Sequence, residues 1–134
     1  MAHRHLNPQG LLTLDGFSQV VITTGKRTAY IAGQTAYDEQ QNLKGEGDYF
    51  VQIVEALRNL RTAVEAAGGT SADVVSSTVF LRNLDLKVSE IFFQALSVAL
   101  DGAPFPAHAF SLIGVQDLAS PEVLVEITAI AVFD

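Results

Sequence analysis

The stretch Val123-Leu124-Val125-Glu126-Ile127-Thr128-Ala129-Ile130-Ala131-Val132 is apolar at nearly every position. Its length and its valines and isoleucines predict a strand over 123–132. A strand with one wet face alternates apolar and polar residues, whereas a strand covered on both faces does not. This one is therefore expected to be covered on both faces. Its single carboxylate, Glu126, is costly to bury there unless it is paired, protonated or used.

Outward from that strand, Asp73 to Leu81 (DVVSSTVFL) and Ala107 to Ile113 also read as strands. Between them Val88, Ile91, Phe92, Ala95, Leu96, Ala99 and Leu100 recur at helical spacing, and Gly102 and Pro104 stop the helix. Upstream, Phe50, Ile53, Val54, Leu57, Leu60 and Val64 mark another amphipathic helix, with Asp48 as its N-cap and Gly68-Gly69 at its end. Phe17–Thr23 and Thr28–Ala32 read as two strands joined by the turn Thr24-Gly25-Lys26-Arg27, a hairpin broken at Gly33-Gln34, with room for one further short strand. Residues 1–16 read as irregular. The order β-β-α-β-α-β-β, with a hairpin at each end, predicts an α+β fold: one sheet with both helices on one face. Nothing remains in the chain to cover the other face, so a second copy is expected there.

The 134 residues fit one domain, 1–134. Mean hydropathy is +0.28, yet no apolar run approaches the roughly 18 residues of a membrane span. The apolar excess fits a subunit interface. With 15 acidic and 8 basic residues the net charge is −7, and Lys26-Arg27 is the one adjacent basic pair. Nucleic acid, a polyanion, is a disfavoured partner. The absence of cysteine removes thiolate nucleophiles and zinc–thiolate sites. The first ten residues carry no hydrophobic signal core, and a cytoplasmic protein is expected. His3 and His5 have metal-like alternation but lie in a segment expected to fray, so no metal and no cofactor is predicted.

The order and spacing of short motifs carry a resemblance: Gly16-Phe17-Ser18-Gln19, Ile31-Ala32-Gly33-Gln34, Ala56-Leu57-Arg58-Asn59-Leu60, Glu65-Ala66-Ala67-Gly68, Thr78-Val79-Phe80-Leu81, Phe105-Pro106-Ala107 and Val125-Glu126-Ile127-Thr128-Ala129-Ile130-Ala131. From about Asn7 to Val132 the chain resembles the Rid (YjgF/YER057c/UK114, endoribonuclease L-PSP-like) family. The resemblance implies a chorismate-mutase-like mixed sheet, a homotrimer, and small-molecule pockets between subunits. The activity it implies is hydrolysis of reactive imines and enamines to ketoacids and ammonia; some members have been called endoribonucleases. It also implies a pocket glutamate at Glu126 and a pocket glycine at Gly33. The family's catalytic subgroup has an arginine after Phe-Pro-Ala and an aromatic hydroxyl in the first motif; this chain has His108 and Phe17 at those positions. Histidine lacks the guanidinium fork that grips a carboxylate.

Two readings stand for each candidate. Glu126 is a general base or one half of an interfacial ion pair. His108 pairs with Glu126, which would raise its pKa, and binds an anion or donates a proton; otherwise it is a polar lining residue. Gly33 offers backbone groups to a ligand or forms a bulge. Phe17 walls the pocket or fills the core. Ser89 reaches the ligand from the start of the second helix or stays on the surface. The leading expectation is a hydrolase or deaminase of a small C=N metabolite with altered specificity; the alternative is a non-catalytic trimer that binds a small metabolite in the same pockets.

Overall fold

The structure is a computed structural model and describes residues 2–134. In chain order the elements are β1 (Ala2–Leu6), β2 (Val20–Thr24), β3 (Arg27–Gln34), α1 (Tyr49–Ala67), β4 (Val74–Arg82), α2 (Leu86–Val98), β5 (Ala109–Val115) and β6 (Val125–Phe133), with one 3-10 turn at Ser71–Asp73. Four strands form a mixed sheet in the order β3-β6-β4-β5. β6 runs antiparallel to both its neighbours, and β4 and β5 are parallel, joined through α2.

Both helices begin where an aspartate side chain accepts a backbone N–H: Asp48 from Val51 at 3.1 Å and Asp85 from Val88 at 2.8 Å. The second helix starts two residues earlier than its apolar spacing predicts, because Leu86 and Lys87 occupy the capped first turn and face solvent. Gly68, with φ of 106°, ends α1 in the left-handed conformation that glycine adopts without strain. The stripes Ile53, Ala56, Leu57, Leu60, Val64 and Val88, Phe92, Ala95, Leu96 are buried against one face of the sheet. That face presents Val125, Ile127, Ala129 and Ala131 from β6 and Val79 and Leu81 from β4. The other face, with Glu126, Thr128 and Ile130, is only partly covered.

Neither expected hairpin forms. β2 pairs with β1 in a separate two-stranded sheet, with Leu6 opposite Val20 and Ala2 opposite Thr24. β3 instead pairs with β6, where Ala29 and Ile31 pack on the helical core. The turn at 24–27 thus links two sheets. At the other end β6 inserts between β3 and β4, and β5 takes the edge. No strand follows Gln34; the segment makes one isolated bridge, Tyr37 to Leu43.

The segment expected to be irregular and frayed contains β1. His3 joins Thr23 at 2.7 Å and Asp73 at 2.9 Å, which ties β1 to β2 and to the entry of β4. Two polar side chains staple the loop before β6. Gln52, fully buried, donates to the carbonyls of Gly45 and Glu122 and accepts from the Leu124 N–H. Arg82 donates to the carbonyls of Gln116, Ser120 and Val123 and pairs with Asp117 at 2.8 Å. These contacts fix where β6 enters the sheet, and with it Glu126.

Candidate active site

Glu126 lies on the sheet face that no helix covers, opposite Phe80 of β4. Its carboxylate accepts no hydrogen bond and makes no ion pair among the described residues. The neighbouring strand explains how it fits. β3 slips register between Ile31 and Gln34, a β-bulge that brings Gly33 under the Glu126 side chain. A methyl group on Gly33 would stand 2.6 Å from Glu126 Cδ, closer than any real carbon contact. Gly33 is thus both the bulge and the close approach: with any larger residue the carboxylate would have to move. Along the same face runs a shallow cavity of about 440 Å³, floored by Ser76, Thr78, Thr128 and Ile130 and flanked by Tyr30, which is 80% exposed.

His108 sits elsewhere. It precedes β5, next to Ala109, which is opposite Ser76 on β4, whereas Glu126 is opposite Phe80. At about 3.3 Å per residue that separates the two by some ~15 Å along the strand. The His108 ring points into the core and is 2% exposed, touching Phe105 and Phe110. Its Nδ1 lies 2.9 Å from the Pro106 carbonyl and its Nε2 lies 2.7 Å from Ser77 Oγ. The expected pairing with Glu126 is therefore absent within the chain, since both ring nitrogens are already engaged. The direction of its pKa is also the reverse of that expected. Burial, opposed by the hydrogen bond to the Pro106 carbonyl and helped by nearby His5, lowers it from 6.5 to about 4. His108 is neutral near pH 7.

Phe17 bridges to His108 through its backbone and meets the Phe110 ring edge-on at 5.1 Å. It fills the edge of the core and also walls a polar cavity of about 310 Å³ beside Ser77. Ser89 lines a third space, an apolar groove of about 510 Å³ along α2 with Gly16, Phe93 and Phe105. The structure thus brings Glu126 and Gly33 together, brings Phe17 and His108 together, and places Ser89 with neither pair. Ser77 was not singled out by the sequence reading. The signal for it was present: Ser76-Ser77-Thr78 are three successive hydroxyls between the apolar ends Val74-Val75 and Val79-Phe80-Leu81, and such groups need partners when buried. Among the described residues, no cluster of three or more His, Asp or Glu side chains is arranged to hold a metal.

A family model described as Endoribonuclease L-PSP matches residues 9–133. Among solved structures, YyfB of Yersinia pestis, a Rid-family protein of unknown function, is 36% identical, with a TM-score of 0.85 over 98% of this chain and 99% of its own. The chain belongs to the Rid family. RidA from the Antarctic bacterium Psychrobacter sp. is 26% identical over 96% of this chain and 97% of its own, with a TM-score of 0.66. A YjgF/YER057c/UK114 family member from Mycobacterium tuberculosis is 26% identical over 98% and 99%, with a TM-score of 0.62. Two helices on one face of a mixed sheet are the chorismate-mutase-like arrangement of the Rid fold. No described helix is long and apolar enough to cross a membrane.

Proposed function

We propose that this Rid-family chain hydrolyses a small imine, enamine or related C=N compound, in pockets between the subunits of a homotrimer. The observation that carries this reading is the unpaired Glu126 carboxylate laid over the Gly33 bulge on an uncovered sheet face. A carboxylate held without a cationic partner is available to take a proton from water. In this reading Glu126 is the general base. Water attacks the C=N carbon, the nitrogen gains a proton, and the tetrahedral adduct collapses to a carbonyl and an amine or ammonia. Gly33 leaves the space in which the Glu126 carboxylate is seated. A second copy packed on the face that carries Tyr30 and Ile130 would close the cavity from above. His108, neutral and turned into the core, is a positioning residue rather than an anchor for an anion. Substrates without a carboxylate are therefore favoured.

A second reading is a trimer that binds a small metabolite without turning it over. The observation in its favour is that His108 has both nitrogens engaged, which leaves Glu126 as the one ionisable group of the expected pair on the open face. The net charge of −7 speaks against RNA as the substrate.

Ammonia release from freshly generated imines and enamines, with and without carboxylates, tests the proposal. The expected result is turnover on uncharged substrates that Glu126→Ala abolishes and His108→Ala reduces. Saturable binding without product across the panel would replace the enzyme with the binding trimer. A monomer at micromolar concentration by light scattering would remove the interfacial pocket.

A further inference from the structure

His3 and His5 alternate along β1 and so share a face, and each holds a hydroxyl. His3 Nδ1 lies 2.7 Å from Thr23 Oγ1, and His5 Nδ1 lies 2.8 Å from Ser18 Oγ. The two pairs differ in what stands behind the ring. His3 Nε2 lies 2.9 Å from Asp73 Oδ1. Asp73 is pinned in turn, because its other oxygen accepts the Thr70 N–H at 2.8 Å. The capping box of Thr70 and Asp73 thus presents a carboxylate to the ring, and the β1–β2 register, with His3 opposite Thr23, presents the hydroxyl. The pairs also differ in access: Thr23 is half-buried, whereas Ser18 is sealed at 1% exposure. A carboxylate only accepts, so His3 Nε2 carries the hydrogen. The neutral ring then keeps its lone pair at Nδ1, and the Thr23 hydroxyl donates to it.

We propose that Thr23, His3 and Asp73 form a second reactive site, in which Thr23 takes the acyl group of a small activated ester. The arrangement is the hydroxyl–imidazole–carboxylate relay of acyl transfer with the two ring nitrogens exchanged, and such a relay is recognised by roles rather than by sequence position. Thr23 Oγ1 attacks the ester carbon while its hydrogen passes to His3 Nδ1. The imidazolium, held by Asp73, returns that hydrogen to the departing alcohol oxygen. Water then attacks the acyl-threonine with His3 as base, which frees the acid and restores the hydroxyl. Asp73 touches only the ring and is a positioning residue. Thr23 lines none of the three cavities described above, and its methyl group crowds the oxygen, so the donor needs a small acyl group and a good leaving group. Val74, next to Asp73, is opposite Ala131, which sets this site some ~16 Å along β6 from Glu126. The proposal is independent of the C=N hydrolysis.

Two probes on the full chain test it. Diethyl fluorophosphate loses fluoride to activated hydroxyls and leaves a stable adduct, which peptide mass spectrometry locates. The expected adduct is on Thr23 and not on Ser18. No adduct on Thr23 after exhaustive incubation would overturn the proposal, as would equal labelling of Ser18. p-Nitrophenyl acetate reports turnover through release of p-nitrophenol. Thr23→Val, which keeps the side-chain shape, should remove the Thr23-dependent release, and Thr23→Ser should restore it. Asp73→Asn should lower kcat at least ten-fold with KM unchanged, since the ring loses its orienting partner and not the ester its site. A kcat equal to that of the wild type in Asp73→Asn would overturn the relay. If Asp73→Asn does not fold, the location of the adduct in the wild type and the Thr23 pair still decide. Ammonia release measured on the same samples keeps the two proposals apart, and Thr23→Val should leave it at the wild-type rate. Labelled Thr23 without ammonia release would sink only the C=N hydrolase, and ammonia release without labelling would sink only this site.

Discussion

Gly33 has no side chain because Glu126 occupies the space where one would be. Gly33→Ala should push the carboxylate aside while leaving the bulge able to form, since the atoms in the way belong to the end of a flexible side chain. The expected outcome is a loss of turnover of about 10²-fold, within the range set by removing a positioned base, with the far-ultraviolet circular dichroism spectrum unchanged. His108 makes a prediction in pH. Its pKa is about 4 in the folded chain against an ordinary 6.5, so the unfolded chain binds more protons between those values. The stability that His108 supplies is complete above about pH 6.5 and is lost as pH falls towards about 4. The difference corresponds to about 3 kcal/mol. Denaturant titrations across that window should show this slope, and His108→Gln should flatten it. His5 contributes to the shift, so a smaller flattening is expected in His5→Gln. Carbon-13 shifts of the His108 ring should report the neutral form with hydrogen on Nδ1 over the upper part of that window and the onset of the imidazolium as pH approaches about 4.

At the scale of elements, the helices were legible and the strand pairing was not. Asp48, the stripe from Ile53 to Val64 and Gly68 announce α1 from composition and spacing alone, because capping and helical periodicity are local. Strand partners are not local. Val20–Thr24 and Arg27–Gln34 lie either side of a good turn, yet each is better satisfied elsewhere: β3 reaches the core only beside β6, and β2 is paired by β1. β1 was missed because its sequence, Ala2-His3-Arg4-His5-Leu6, looks polar; its order comes from His3 bonding to Thr23 and Asp73, 20 and 70 residues away. The same limit governs the site. Glu126 and Gly33 stood out, one as a charge in an apolar strand and one as a strand break, and they meet. The direction in which His108 points depends on Ser77 and Pro106, which no spacing reveals. Gln52 gives a test at this scale. Gln52→Leu would leave the carbonyls of Gly45 and Glu122 and the N–H of Leu124 without their partner. At about 1–3 kcal/mol for each buried polar group so orphaned, a loss of several kcal/mol of stability, read as a lower denaturation midpoint, is expected, with turnover per folded molecule also reduced because Glu126 loses its fixed strand entry.

For the whole molecule, the uncovered sheet face is what remains after the helices have filled the other side. Tyr30 is 80% exposed in the middle of β3, and Ile130 lies opposite it on β6. In the proposed trimer this face is buried, so Tyr30→Glu or Ile130→Glu should shift the mass seen by light scattering from trimer towards monomer and lower turnover in step. The same substitutions in a chain that works alone would leave both unchanged. A trimer also carries three times the net charge of −7, which should keep association with RNA weak at all salt concentrations. The proposal that Glu126 is the base of a C=N hydrolase is tested most directly by ammonia release from an uncharged imine, comparing the wild-type chain with Glu126→Gln at equal trimer concentration. The account predicts turnover by the wild type and a loss of at least about 10²-fold in the variant; equal rates in the two proteins would contradict it.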